Sequence, residues 1–145
     1  MLKMMIKRFR MVIVPMNIVT IPQGWLTCFT TSADGYVGSG LAKIMNDTFH
    51  LEDALYDRDC LVGTTEIIGS HAAIIVKSNS YDEVDESLLR AALEDLRTKC
   101  EEEHIDRIAM PKLCTGGNSL RWKTVRTIIR DVFGDSKIFI MICDQ

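Results

Sequence analysis

Residues 109–122 read AMPKLCTGGNSLRW, and this stretch leads from a predicted strand through a loop into a predicted helix. Residues 105–110 predict a strand, residues 111–118 form a glycine-rich loop, and residues 119–133 have the apolar spacing of a helix. A glycine loop that opens a helix exposes main-chain N–H groups beside the positive end of the helix dipole. The pattern therefore predicts a site for phosphate.

A second glycine loop repeats this arrangement nearer the start of the chain. Residues 26–31 are β-branched and aromatic and predict a buried strand, which leads into the loop 32–40. The helix predicted after this loop has one face formed by Leu41, Ile44, Met45 and Phe49. A helix dipole contributes about 0.3–2 kcal/mol, whereas micromolar binding needs about 8 kcal/mol. We therefore expect two loops that hold the diphosphate of a nucleotide rather than free phosphate.

The other predicted elements complete an alternation of strands and helices. Strands are expected at 8–14, 65–68, 72–76 and 137–143, with a turn at 69–70, and residues 51–59 predict a short helix or loop. The capping-box spacing of residues 80–83 predicts the start of another helix. Its apolar face is formed by Leu89, Ala92, Leu93, Leu96 and Cys100.

These elements predict one α/β domain over residues 1–145. A mostly parallel central sheet with antiparallel edges is expected, with helices on both faces. Ligands of such sheets bind at the carboxyl ends of the strands. Both glycine loops fall at such ends, so the sequence predicts one cleft between them.

Composition narrows the class of protein. The net charge of −3 gives no general attraction to nucleic acid or anionic membranes, and no apolar run reaches the length of a membrane helix. The five cysteines form no CxxC pair, so we expect neither disulfides nor a zinc site, and a reducing cytoplasm fits best. The basic cluster Lys3, Lys7, Arg8 and Arg10 is interpreted as a solvated strand margin in preference to a nucleic-acid contact.

Known phosphate-binding motifs are absent, but a family resemblance is present. The first loop lacks the third glycine of a dinucleotide fingerprint, and the chain has no GxxxxGK[ST] motif. The stretches 14–22, 75–77 and 109–122, with Ser32 and residues 38–42, together resemble a macro domain. The branch that they resemble contains terminal ADP-ribose glycohydrolase and the macrodomain antitoxin that removes ADP-ribose from DNA.

This resemblance implies a three-layer αβα macro-domain fold with an ADP-ribose cleft. It places adenine near the end of the first strand, the diphosphate between the loops, and the distal ribose at Lys77 and Asn118. The ligand-binding residues that it implies are Asn17, Ile18, Ser32, Gly38, Ser39, Gly40, Leu41, Pro111, Leu113, Cys114, Thr115, Gly116, Gly117 and Asn118.

The chain departs from the family pattern at two positions. Asn17 stands where the family has an aspartate that accepts from adenine; its carbonyl can still accept, without the carboxylate charge. Asn118 stands where the glycohydrolase has a proton-transferring aspartate beside a lysine nucleophile, here Lys77. An amide cannot transfer protons near neutral pH, so the factor of about 10²–10⁴ from acid–base catalysis would be missing.

Three further residues near the loops have competing interpretations. Asp34 is a nearby carboxylate that could supply acid–base catalysis, although a loop aspartate that caps the backbone is the favoured interpretation. Lys77 is equally a nucleophile or a lysine that ends a strand. Cys114 is expected to be a small loop residue, and Trp25 and Trp122 are expected to pack.

Four functions stay open on the sequence. The leading one is ADP-ribose binding with weak or absent hydrolysis. The second is removal of ADP-ribose from a protein ester or a nucleobase, or dephosphorylation of ADP-ribose 1″-phosphate, through Lys77. The third is sequestration of a signalling nucleotide derived from NAD, and the fourth is a purely structural domain. We expect no cofactor, metal or membrane partner, a nucleic-acid partner only if it carries ADP-ribose, and a monomer.

Overall fold

The computed structural model describes residues 9–38, 40–116 and 119–144. Its strands are β1 (Arg10–Val14), β2 (Leu26–Ser32), β3 (Thr65–Ile68), β4 (His71–Lys77), β5 (Arg107–Met110) and β6 (Phe139–Cys143). Its helices are α1 (Gly40–Phe49), α2 (Glu52–Tyr56), α3 (Glu86–Glu102) and α4 (Trp122–Phe133), and a 3-10 turn covers Ile18–Thr20. The predicted alternation of strands and helices is confirmed.

The six strands form one sheet in the order β1-β6-β5-β2-β4-β3. Within the described residues only β3 runs antiparallel, as the partner of β4 in a hairpin. The other pairs, including β1 with β6, are parallel. The prediction of a mostly parallel sheet is confirmed, with its antiparallel pairing at the β3 edge.

Strands β2 and β5 pair over two residues, at the amino end of β2 and in the middle of β5. The paired residues are Leu26 with Ile108 and Thr27 with Ala109. From β2 the chain enters α1, whose Met45 packs on one face of the sheet, and from β5 it enters α4, whose Ile129 packs on the other. The two connections leave in opposite directions, which makes this pair the switch point at which α/β sheets bind ligands.

The core consists of one apolar layer on each face of the sheet. The layer under α3 and α4 contains Leu93, Leu96, Ile129 and Phe133, all fully buried. The layer under α1, α2 and the 3-10 turn contains Phe29, Met45, Leu55 and Ile75. Successive side chains of a strand point to opposite faces of the sheet. The apolar residues of β4 therefore fill the two layers in turn.

Some predicted details are wrong. Helix α3 begins at Glu86, not near Ser80, because Asp85 is its N-cap and accepts from the Ser87 N–H at 2.7 Å. Ile44, predicted on the buried face of α1, is 49% exposed, since the sheet is covered by the side of the helix that carries Met45. Helix α4 begins at Trp122 rather than at residue 119.

Three further features of the described residues concern membrane-spanning helices, metal-binding clusters and disulfides. None of the helices within residues 9–144, as described, is long and apolar enough to cross a membrane. The same residues hold no cluster of histidine, cysteine or acidic side chains that could bind a metal ion. All five cysteines are free thiols.

Truncation of Leu93 tests the layer under α3. We expect Leu93→Ala to lower the free energy of unfolding by about 2–5 kcal/mol, because the lost methyl groups leave a cavity in a close-packed core. The matched control, Leu61→Ala, removes a leucine that is 63% exposed and is expected to change stability by less than about 0.5 kcal/mol. Urea denaturation measures both, and equal losses would contradict this core.

Candidate functional site

A cleft of about 350 Å³ lies at the carboxyl ends of β2, β4 and β5. Its position is the one that the parting of β2 and β5 predicts. Its walls come from the end of β2 with the first loop and the start of α1, from the end of β4, and from the second loop. The lining residues are Thr30, Thr31, Ser32, Tyr36, Gly40, Leu41, Ala42, Val76, Lys77, Ser80, Val84, Pro111, Lys112, Leu113, Cys114, Thr115, Gly116 and Ser119.

The cleft brings together most of the residues that the sequence singled out. Those that line it are Ser32, Gly40, Leu41, Lys77, Pro111, Leu113, Cys114, Thr115 and Gly116. Ser39, Gly117 and Asn118 lie outside the described residues. Asn17, Ile18, Asp34 and Gly38 are not among the lining residues. A Cβ at Gly38 would lie 2.7 Å from the Tyr36 ring, so the absence of a side chain there lets the ring lie close.

Lys77 reaches the cleft because of a β-bulge at the end of β4. Thr31 is level with Ile75, whereas Ser32 is level with Lys77, so the strand accommodates one extra residue, Val76. A bulge re-aims the side chains beside it. The Lys77 Nζ lines the cleft and donates to the Ser80 carbonyl at 2.7 Å.

Asp34 connects the first loop to the segment after β4. One carboxylate oxygen accepts from the Ser32 hydroxyl at 2.5 Å and from the Tyr36 N–H at 3.1 Å. The other accepts from the Ser80 N–H at 3.1 Å. These hydrogen bonds, that of Ser32 above all, lower the pKa of Asp34 from its ordinary value.

The second loop is held by its own main chain and places a thiol in the cleft. Cys114 has a positive φ of 58° and its carbonyl accepts from the Leu120 N–H at 2.8 Å. Thr115 donates from its hydroxyl to the Lys112 carbonyl at 2.7 Å. Burial raises the pKa of Cys114 to about 11, although a hydrogen bond with Thr30 and the charge of Lys77 oppose the rise. The group is therefore a neutral thiol near pH 7, as a loop residue with a packing role would be.

The charged residues of the described cleft lining are basic, although the chain is acidic overall. The charged side chains that line it are Lys77 and Lys112, and none of its described lining residues is a carboxylate. Lys112 forms an ion pair with Asp144 at 3.0 Å and lies 5.6 Å from the centroid of the Trp122 ring. Such a lining favours an anionic ligand.

Asn17 has a local structural contact. Its Oδ1 accepts from the Val19 N–H at 3.1 Å and caps the 3-10 turn, which buries Ile18. The two tryptophans pack, as predicted. Trp25 meets the Phe139 ring edge-on at 5.4 Å, and Trp122 packs against the layer under α3 and α4.

Sequence reasoning missed five lining residues of interest, namely Thr30, Tyr36, Ser80, Val84 and Lys112. Lys112 lies inside the quoted 109–122 stretch, and Tyr36 lies between two glycines of the first loop, so a signal existed for both. The capping-box spacing of residues 80–83 predicts that Ser80 caps a helix. No local pattern places its main chain at the cleft.

Alkylation of Cys114 tests whether its thiol is protonated near pH 7. Between pH 7 and 9 the rate of its modification by iodoacetamide is expected to rise about tenfold per pH unit, because the thiolate fraction follows a pKa of about 11. Peptide mass spectrometry gives the rate, with Cys114→Ser as the control that removes the modified peptide. A plateau below pH 8 would show an activated thiolate instead.

Comparison with known proteins gives the family. The macro domain family model matches residues 36–129. The fold is similar to the macrodomain of Thermus aquaticus DarG, with a TM-score of 0.81 and 16% identity over 94% of this chain and 99% of that one. It is also similar to Thermosipho africanus DarTG, solved in complex with ADP-ribose, with a TM-score of 0.77 and 15% identity over 94% of this chain and 42% of that one.

A third similar structure is the macrodomain of Mycobacterium tuberculosis DarG, with a TM-score of 0.76 and 17% identity over 91% of this chain and 97% of that one. Identities this low support a shared fold. A comparison with curated protein sequences gives no significant match. The family model and the mostly parallel six-stranded sheet lead to one conclusion: the chain belongs to the macro domain family.

Proposed function

We propose that the cleft binds ADP-ribose or an ADP-ribosyl derivative. The observation that carries the proposal is a cleft between two glycine loops, with basic residues as the charged part of its described lining, at the switch point of a macro-domain sheet. The similar fold of Thermosipho africanus DarTG, solved in complex with ADP-ribose, supports the choice of ligand.

The diphosphate is assigned to the wall where α1 begins. Gly40, Leu41 and Ala42 form its first turn and line the cleft, and the first N–H groups of a helix have no partner within the helix. The opposite wall contributes Thr115 and Gly116 of the second loop. A Cβ at Gly116 would meet nothing within 4 Å, which leaves room for a ligand close to the main chain.

We further propose that hydrolysis is weak or absent. From the sequence, Asn118 cannot transfer a proton as the aspartate of the family pattern does. The Asp34 carboxylate has hydrogen bonds on both oxygens and is not among the lining residues, so it is a poor substitute. On this proposal Lys77 binds the distal ribose or a phosphate through its remaining N–H donors. That the protein acts as a cytoplasmic monomer stays a prediction.

The position of Lys77 favours a second candidate, an ADP-ribosyl hydrolase or an ADP-ribose 1″-phosphate phosphatase. Lys77 lines the cleft, and its amine donates to the Ser80 carbonyl. Among the described residues no carboxylate lies within ion-pair distance of this amine. A nucleophilic lysine needs an unprotonated amine with access to the ribose. This candidate requires a proton-transferring group besides Asn118.

Calorimetric titration with ADP-ribose, ADP and AMP tests the ligand. We expect micromolar binding of ADP-ribose, which corresponds to about 8 kcal/mol, and weaker binding of ADP and AMP, because they lack the distal ribose that Lys77 would contact. Lys77→Ala is expected to weaken ADP-ribose binding by about tenfold, the effect of one charged hydrogen bond. No heat with any of the three nucleotides would overturn the proposal.

An assay on ADP-ribosylated protein, ADP-ribosylated DNA and ADP-ribose 1″-phosphate decides between binding and catalysis. We expect little or no turnover by the wild-type protein. If turnover occurs and is abolished by Lys77→Ala, the hydrolase candidate replaces the binding proposal. Lys137→Ala is the matched control, because Lys137 is exposed and lies just before β6, at the other end of the sheet from the cleft.

A further inference from the structure

Asp34 is not among the lining residues of the cleft, but its carboxylate contacts the main chain of two residues that are, Tyr36 and Ser80. Its carboxylate accepts from the Tyr36 N–H and from the Ser80 N–H, each at 3.1 Å. Tyr36 is also held by its carbonyl, which accepts from the Thr31 hydroxyl at 3.1 Å. The main chain of Tyr36 is thus held at both polar atoms.

The Ser80 main chain continues this connection to Lys77. The N–H of Ser80 donates to Asp34, and the carbonyl of Ser80 accepts from the Lys77 Nζ at 2.7 Å. Two further main-chain hydrogen bonds fix the same segment, from the Ala33 N–H to the Lys77 carbonyl at 2.8 Å and from the Asp34 N–H to the Ser78 carbonyl at 3.2 Å. The amine is thus linked through the Ser80 main chain to the side chain of a residue 46 positions away from Ser80.

We propose that Asp34 is a positioning residue, which holds Lys77 at the cleft wall through the Ser80 main chain and holds the Tyr36 main chain beside it. This role concerns the same cleft as the proposed function, and its consequence for ligand binding rests on that function. It gives Asp34 no part in proton transfer. A carboxylate that accepts three hydrogen bonds is a weak base, and the lowered pKa of Asp34 agrees with this.

Two variants separate positioning from proton transfer. Asp34→Ala removes every hydrogen bond of the carboxylate. Asp34→Asn cannot act as a base. Its amide oxygen can accept from the Ser80 N–H while its amide N–H donates to the Ser32 hydroxyl oxygen, but the hydrogen bond from the Tyr36 N–H is then lost, because the amide nitrogen replaces the oxygen that accepts it. Positioning therefore predicts that the asparagine variant resembles the wild type more closely than the alanine variant does.

The first measurement uses no ligand. The rate of Lys77 acetylation by acetic anhydride is followed by peptide mass spectrometry, with the exposed Lys137 of the same molecule as the reference. We expect Asp34→Ala to raise the Lys77 rate relative to Lys137 by roughly two- to tenfold, the range that follows from losing one net hydrogen bond. For Asp34→Asn we expect the Lys77 rate relative to Lys137 to rise by no more than about half as much. An unchanged Lys77 rate in Asp34→Ala would overturn the proposal.

Circular dichroism checks that Asp34→Ala folds. If it does not, Asp34→Glu replaces it, because the extra methylene displaces the contact with Ser80 while the charge is kept. The same rise in Lys77 acetylation is then expected, and its absence counts against the proposal.

The second measurement adds ADP-ribose by calorimetry. We expect Asp34→Ala to weaken binding by roughly two- to tenfold and Asp34→Asn to restore most of it. Weakening by both variants to the same extent would overturn the positioning role. If the wild-type protein does not bind ADP-ribose, the proposed function fails, whereas the acetylation result still decides whether Asp34 positions Lys77.

Discussion

The arrangement of the whole site depends on the parting of β2 and β5. The two parallel strands share only two residue pairs before their connections leave for opposite faces of the sheet. Among the described residues the ladder between β2 and β5 does not continue beyond these pairs, so a crevice opens at the carboxyl end of β2. Both glycine loops, the first turn of α1 and the end of β4 border this crevice. A cleft for a phosphate-bearing ligand is thus a consequence of strand order before any side chain is considered.

Hydrogen bonding at the cleft wall links parts of the chain that are distant in sequence. The bulge at Val76 brings Lys77 level with Ser32, and the Ser80 carbonyl then holds its amine. Asp34 joins the two segments through side-chain to main-chain hydrogen bonds. A preorganised wall of this kind lowers the conformational entropy that a ligand must overcome on binding.

Charge and burial give the cleft a chemistry that the composition of the chain conceals. The protein carries a net charge of −3, yet the charged lining residues of the described cleft are two lysines. Its thiol, Cys114, is kept neutral by burial in spite of the nearby lysine charge. The cleft is therefore suited to holding an anion, and its cysteine is not prepared for nucleophilic attack.

Local sequence patterns indicate the alternation of strands and helices and the two glycine loops, because these depend on periodicity and turn chemistry within a few residues. The family resemblance rests instead on the motifs of both loops and of the end of β4. The residues that this resemblance implies include nine that line the described cleft. The sequence does not indicate that Asp85 is the N-cap of α3, because Ser80 also has capping-box spacing. It does not indicate the exposure of Ile44 either, because that depends on the side of α1 that meets the sheet. The bulge at Val76, which sets Lys77 level with Ser32, and the contact of Asp34 with Ser80 are features of the tertiary structure alone. Both depend on the register between β2 and β4, which is set by packing across the whole sheet and leaves no local signal in the sequence.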